Sequence, residues 1–398
     1  MKNIFDRAKA VQEEVVAIRR DIHAHPEIGH QEVRTAKLIA DTLAKFGVAD
    51  IETPTPTSVV ATIKGNAAKN GGMNCVALRT DIDALPVQED TGLEFASCTP
   101  GMMHACGHDM HCAMMLGNAK VLQSMRDEFG GSVKLIFQHS EDTFPGGSRE
   151  LVEAGVMKGV DAILGLHVIA SENEMCGIIG TKDGPITTSA DEYKFVITGP
   201  GGHGSLPHKV PDPILAAAEI IVALQRIQSR AVAPLDASIV MMNKIQGGVA
   251  PNVISDKVTM IGNARAYKPE VRKVIEEQVY KIARGIEEIS GCKVDVHAAF
   301  GYDPCSNDPG LFKAVLPALR EALGNEKVVV FDEPMAFSED FSFYSTLTGV
   351  PELFMLLQAG SVGEVRPLHN PQVTFNEAAM PYGMAAMMNS ALELLGNK

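Results

Sequence analysis

The run Cys75-Val-Ala-Leu-Arg-Thr-Asp-Ile-Asp-Ala-Leu-Pro86 decides how this chain is built. Its first five residues form an apolar segment with the length of a buried strand, and Asp81 and Asp83 fall just past the strand's carboxyl end. The same arrangement recurs twice: Val133–Phe137 precedes Glu141-Asp142, and Ala162–Leu166 carries His167 at its tip. Helical periodicity at about 6–24, 31–46 and 109–126 alternates with these strands, and Ser58–Lys64 reads as a further one. The pattern predicts an α/β fold with three polar groups beyond strand ends, where open α/β sheets collect their ligands.

Working outward, the segment His104-Ala-Cys-Gly-His-Asp-Met-His111 packs three histidines, a cysteine and an aspartate into eight residues. Buried polar groups this dense are costly unless paired or bound to a metal. Together with Glu141-Asp142, His167 and His369 they offer N, S and O donors from four separate segments. Such a mixed set suits a hydrolase site with two metal ions.

The 398 residues allow two domains, each with its own core. A formal charge of −14 argues against a nucleic-acid partner. No apolar run approaches the roughly 18 residues of a membrane span, and the first residues lack the apolar core of a signal peptide. Seven cysteines without framework spacing suit free thiols, with cytoplasm as the expected compartment.

Near residue 187 the texture changes. A strand at 191–198, the Gly-rich Gly199–Gly204, a helix at about 213–229, strands near 237–245 and 257–266, a helix near 269–289 and a strand near 293–299 follow. This β-α-β-β-α-β order is that of a ferredoxin-like layer. The expected division is therefore 1–186 with 303–398 as one domain and 187–302 as an inserted one, with a last helix near 377–395.

With these residues in place, the chain resembles the M20 metallopeptidases, in particular their amidohydrolase subgroup of hippurate, N-acyl-amino-acid and auxin-conjugate hydrolases. The resemblance rests on Arg19–Glu27, Leu78–Pro86, Met103–His111, Gln138–Asp142, Gly201–His208, Gly247–Ile254, Ser338–Ser342 and Leu368–Pro371, and spans nearly the whole chain. It implies a mixed-sheet, di-metal catalytic domain of the zinc-exopeptidase type with a ferredoxin-like α+β lid. It puts metal ligands on Cys106, His108, Asp142, His167 and His369, with the Cys106 thiolate shared by both ions. Glu141 falls on the catalytic carboxylate, His203 on the histidine that polarises the scissile carbonyl, and Asn252 and Arg265 on substrate contacts. The expected cofactors are two divalent ions, manganese or zinc first, with cobalt or nickel also compatible. The expected substrate is an N-acyl or N-aroyl amino acid, and the expected assembly a homodimer through the lid. A dipeptidase or aminoacylase of the same superfamily is the nearest alternative, and a non-catalytic metal- or ligand-binding relative a more distant one.

Position 142 departs from the family's usual Glu-Glu pair, which puts the second metal's geometry in question. Several residues keep two readings. Asp81 and Asp83 either orient ligands from behind or make an ordinary turn. Glu339-Asp340 either joins the site or caps a helix. His104 and His111 either back the ligands or face outward from the helix. Arg265 either reads a carboxylate or makes a surface ion pair. Met102 and Thr143-Phe-Pro145 are candidates for an acyl pocket.

Overall fold

The structure, a computed structural model, describes residues 4–69 and 71–396. They form two compact units. The first comprises the chain up to Ile186, Ser306–Glu333, and the chain from Asp340 onward. The second comprises Thr187–Cys305 and Pro334–Glu339. The insertion thus returns at 305/306 rather than at 302/303, because the Thr187 N–H donates to the Cys305 carbonyl at 3.3 Å and so ties Cys305 to the inserted unit. Pro334–Glu339 belongs to it too, through Thr188 N–H on Phe337 O at 2.9 Å.

The first unit is built on an eight-stranded mixed sheet. Its order is Asp50–Glu52, Val59–Lys64, Ser132–Gln138, Cys75–Asp81, Ala162–Ile169, Glu352–Gln358, Ile178–Thr181, Val328–Val330. The four middle strands, from Ser132–Gln138 to Glu352–Gln358, run parallel to one another. Parallel strands covered on both faces read as continuous apolar runs, and Glu352–Gln358 (Glu-Leu-Phe-Met-Leu-Leu-Gln) is buried from Glu352 to Leu357.

Helices His108–Ser124 and Met380–Leu394 pack on strand Cys75–Asp81 and on each other. Their shared layer is rich in buried methionine: Met110, Met114, Met115, Met380, Met384, Met387 and Met388. Unbranched thioether side chains fill irregular gaps there.

The helix expected over 6–24 is two, Ile4–Ala10 and Gln12–Ala24, interrupted at Val11. The second packs on His108–Ser124 through a buried polar knot. Arg19 Nε and His23 Nδ1 both donate to Asp109 Oδ2 at 2.9 Å, and His23 Nε2 faces Glu89 Oε1 at 3.2 Å. Both ring nitrogens of His23 thus face carboxylates, an arrangement that holds an imidazolium.

In the inserted unit, four antiparallel strands run in the order Ser238–Gly247, Lys257–Ala266, Asp191–Thr198, Lys293–Phe300. Alternate residues Tyr193, Phe195 and Ile197 face the core with Ile220 and Leu224 of helix Pro213–Arg226 and Ile275 and Val279 of helix Pro269–Ser290. Asp212 caps the first of these helices, its carboxylate accepting from the Ile214 and Leu215 N–H groups. No described helix of the chain is long and apolar enough to cross a membrane.

Burial opposes protonation of His23, but the Asp109 charge and the hydrogen bonds to Asp109 and Glu89 overcome it and push the imidazole up to about 9. A folded-state value above the unfolded one means that this stabilisation is complete below about pH 6.5 and lost as pH rises through about 9. His23→Gln should remove on the order of 3 kcal/mol of the decline in stability across that window. Urea midpoints measured at pH 6 and 9.5 should therefore differ less in the variant than in the wild type. An equal difference in both would contradict the charged state assigned to His23.

Candidate metal centre

The sheet brings the sequence candidates together at the carboxyl ends of its middle strands. Asp81 closes Cys75–Asp81, Asp83 follows it, Glu141 and Asp142 follow Ser132–Gln138, and His167 lies in Ala162–Ile169. Cys106 and His108 sit at the start of helix His108–Ser124. Gly107 between them has φ +88°, and a Cβ there would stand 2.4 Å from Val168 Cγ2, so only glycine permits this entry. His369 arrives in a left-handed conformation, φ +65°, with its N–H on the Ala105 carbonyl at 2.9 Å.

Among the groups of donor atoms that lie within 4.8 Å of one another are Cys106, His108 and His167, and Cys106, Asp142 and His369. Cys106 belongs to both. Its Sγ lies 3.4 Å from His167 Nε2. Asp142 stands between the groups, Oδ2 at 3.9 Å from His108 Nε2 and Oδ1 at 3.5 Å from His369 Nε2. The shorter aspartate thus presents one oxygen toward each of the two histidines.

Hydrogen bonds set the tautomers. His108 Nδ1 faces the Asp83 carbonyl and Oδ1, each at 3.1 Å, so it carries the proton and leaves the Nε2 lone pair pointing inward. His167 Nδ1 donates to Val168 O at 2.7 Å, which aims its Nε2 at the thiol. His108 Nε2 and Asp142 Oδ2 are buried without a hydrogen-bond partner. Orphaned polar atoms of this kind are rare in protein interiors, and a soft thiol, neutral imidazoles and a carboxylate are donors that suit divalent transition ions. The residues fit a metal centre.

Without a cation the ring of His108 is driven toward its charged form: burial opposes the charge, but Asp81, Cys106 and Asp83 push the imidazole well up, and a bound cation would take the place of that proton. Burial pushes the Cys106 thiol well up and the His167 imidazole well down. Burial, reinforced by Asp83 and Asp81 against the pull of His108 and His369, raises Asp142 to about 6. A cation would reverse the thiol and carboxylate shifts.

The aspartates behind the donors hydrogen-bond the segments that carry them. Asp83 binds His108 with one oxygen and accepts the Asp142 N–H with the other at 3.0 Å. Asp81 accepts from His111 Nδ1 at 2.6 Å, while His111 Nε2 accepts the Val168 N–H at 2.8 Å. His111 thus has both nitrogens engaged and backs the strand that bears His167. His104 is buried and has neither nitrogen hydrogen-bonded. Of the two expected roles, Asp340 takes the capping one, on a helix distant in sequence. It accepts from buried Arg79 and Gln138 at 2.8 Å and from the Ser148 N–H at 3.0 Å, closing the first turn of helix Ser148–Glu153. Arg79 also holds Asp81 at 2.7 Å and Gln138 Oε1 at 2.8 Å. This network was not singled out from the sequence; a buried arginine beside Asp-x-Asp was its only signal.

Glu141 is almost fully buried, its Oε2 4.0 Å from His108 Nε2. In the inserted unit, His203 and Asn252 lie together. His203 pairs with Val253 in a two-stranded ladder, and Gly204 N–H donates to Asn252 O at 2.8 Å. A Cβ on Gly204 would come within 3.0 Å of that carbonyl. The exposed His203 ring accepts the Ser205 N–H at Nδ1, 3.2 Å away, so its neutral form carries the proton on Nε2. Arg265 lies apart from this pair, with Nη1 on Ser338 Oγ at 3.1 Å and on Thr188 Oγ1 and Ala336 O at 3.4 Å. Phe144 is exposed on the loop after Asp142.

Residues 77–393 match Peptidase family M20/M25/M40, and the chain belongs to that family. It is 39% identical over 307 residues to an N-acyl-L-amino acid amidohydrolase of Geobacillus stearothermophilus, covering 77% of this chain and 80% of that one. It is 37% identical to an N-acetylcysteine deacetylase of Bacillus subtilis, with 94% of each chain covered. Among solved structures, the Bacillus subtilis YXEP protein, a dinuclear metal-binding peptidase of the M20 family, superposes with a TM-score of 0.82. The identity is 33%, and 98% of this chain and 100% of that chain are covered. The mixed-sheet α/β fold expected from the resemblance is that of this relative.

Asp83→Ala removes the group that orients both His108 and the Asp142 backbone. Loss of such a supporting carboxylate typically costs about 10- to 100-fold in metal affinity. Competition against a chelator should report a loss in that range, with the urea midpoint much less affected; undiminished affinity would separate Asp83 from the donors.

Proposed function

We propose that this protein hydrolyses the amide bond of N-acyl or N-aroyl amino acids, releasing a carboxylic acid and a free amino acid. The observation that carries this reading is the pair of donor groups sharing Cys106, with the Glu141 carboxylate beside them. The amidohydrolase and deacetylase relatives support the substrate class.

Cys106, His108 and His167 would hold one divalent ion, and Cys106, Asp142 and His369 a second. These donors suit zinc, with cobalt or nickel also compatible, and the family resemblance adds manganese. When bound, such ions supply Lewis-acid activation of water and of the amide carbonyl. Glu141 takes the proton from the attacking water and returns it to the departing amine nitrogen. His203 donates from Nε2 to the carbonyl oxygen as negative charge develops there, the term that usually dominates amide hydrolysis. Asn252 contacts the substrate, and the donors of Arg265 that remain beyond Nη1 bind its carboxylate.

We further propose that the inserted unit is both lid and dimer interface. Ser238–Gly247 is an edge strand of its sheet, and Ile239, Met241 and Ile245 are exposed along it, with Val249 just beyond. An unpaired apolar edge invites another strand; a second copy of this chain would cover it. The seven free thiols suit a reducing cytoplasm.

The test combines metal analysis with a panel of N-acetyl, N-benzoyl and dipeptide substrates. Turnover should be highest on acyl amino acids, and preference for dipeptides would reassign the enzyme within its family. Glu141→Gln should lower kcat by about 10²- to 10⁴-fold while metal content and KM stay near wild type. Loss of metal in that variant would make Glu141 a ligand, and retained kcat would remove it as the base. For the edge strand, Ile239→Lys with Ile245→Lys should turn a dimer into a monomer in sedimentation. A dimer that persists would place the interface elsewhere.

A further inference from the structure

A second group of donors stands outside the Cys106-centred set and shares no residue with it. His30, His139 and Glu150 each present a ligand atom within 4.8 Å of the others. They come from three places: the loop after helix Gln12–Ala24, the end of strand Ser132–Gln138, and helix Ser148–Glu153. We propose that these three side chains bind one divalent transition-metal ion of the zinc class.

The donor set decides the class of ion. Two imidazoles and a carboxylate favour zinc, copper, nickel or cobalt, whereas calcium and magnesium require oxygen ligands. His139 Nε2 lies 3.2 Å from Glu150 Oε2. Ligands on a tetrahedral ion with bonds of 2.0–2.1 Å stand about 3.3 Å apart, so this spacing already matches one edge of such a shell.

Both ring nitrogens of His139 face polar atoms: Nε2 hydrogen-bonds the Glu150 carboxylate at 3.2 Å, and Nδ1 lies 3.5 Å from Thr55 Oγ1. An ion bound here would take the place of the Nε2 proton, which that carboxylate already attracts. His30 completes the group from the exposed side. It adopts φ +63°, a left-handed conformation uncommon for a non-glycine residue, and its ring meets that of His139 at 5.2 Å between centroids. An ion here would tie the His30 loop and the helix bearing Glu150 to the strand end from which Glu141 and Asp142 emerge.

The probe is zinc, titrated against a chromophoric chelator into wild type, His30→Ala and Glu150→Gln. Both replaced residues are exposed, so the variants should fold. The wild type should bind one zinc equivalent more than either variant, or bind that equivalent at least tenfold more tightly. The same difference should persist in a Cys106→Ser/His369→Ala background, where the proposed catalytic donors are depleted. That independence separates failure of this site from failure of the amidohydrolase reading. Cobalt(II) gives a second readout: the His30-dependent equivalent should add visible bands without the near-ultraviolet thiolate band that Cys106 would produce. Identical zinc binding in wild type and both variants, or a thiolate band on the His30-dependent equivalent, would overturn the proposal.

Discussion

One buried carboxylate sets the geometry on which the candidate centre depends. Asp83 holds His108 through one oxygen and the Asp142 backbone through the other. It thereby joins the start of helix His108–Ser124 to the loop after strand Ser132–Gln138. A short side chain with both oxygens occupied has little freedom, so two donors from distant segments are fixed by one group. The cost of burying that charge is met by His108, which hydrogen-bonds it and, with the backbone contact, draws its pKa down despite burial and the nearby Asp81.

Behind this lies a second tier. Arg79 links Asp81, Gln138 and Asp340, which belong to strands Cys75–Asp81 and Ser132–Gln138 and to the segment before helix Ser342–Thr346. A guanidinium suits the place because its fork serves several acceptors at once. Breaking such a buried set from one side leaves uncompensated charge. The sheet ends are thus locked in register by polar contacts rather than by apolar packing alone, and the donors inherit that rigidity.

Much of this was legible in the sequence because it is local. Asp81, Asp83, Glu141, Asp142 and His167 each follow or occupy an apolar run, and the run itself reports the strand. The ferredoxin-like order was legible because its alternating strands and amphipathic helices have distinct periods. What escaped is long-range. Nothing near Arg79 announces Asp340, 261 positions away. Nor does Glu352–Gln358 reveal that it enters the sheet between Ala162–Ile169 and Ile178–Thr181. The interruption at Val11 escaped for the opposite reason: the amphipathic stripe continues across it while the backbone does not. His30, His139 and Glu150 are unremarkable in sequence and meet only through the fold.

The methionine-rich layer between helices His108–Ser124 and Met380–Leu394 bears on how the protein ages. Seven thioethers lie within a few per cent of complete burial there, so an oxidant has no direct path to them while the fold is closed. A sulfoxide formed during a transient opening would put a polar group against apolar neighbours and hinder reclosure. Oxidative lifetime should therefore follow the opening frequency of the helix that begins at His108, making peroxide sensitivity a clock for local breathing beneath the candidate centre.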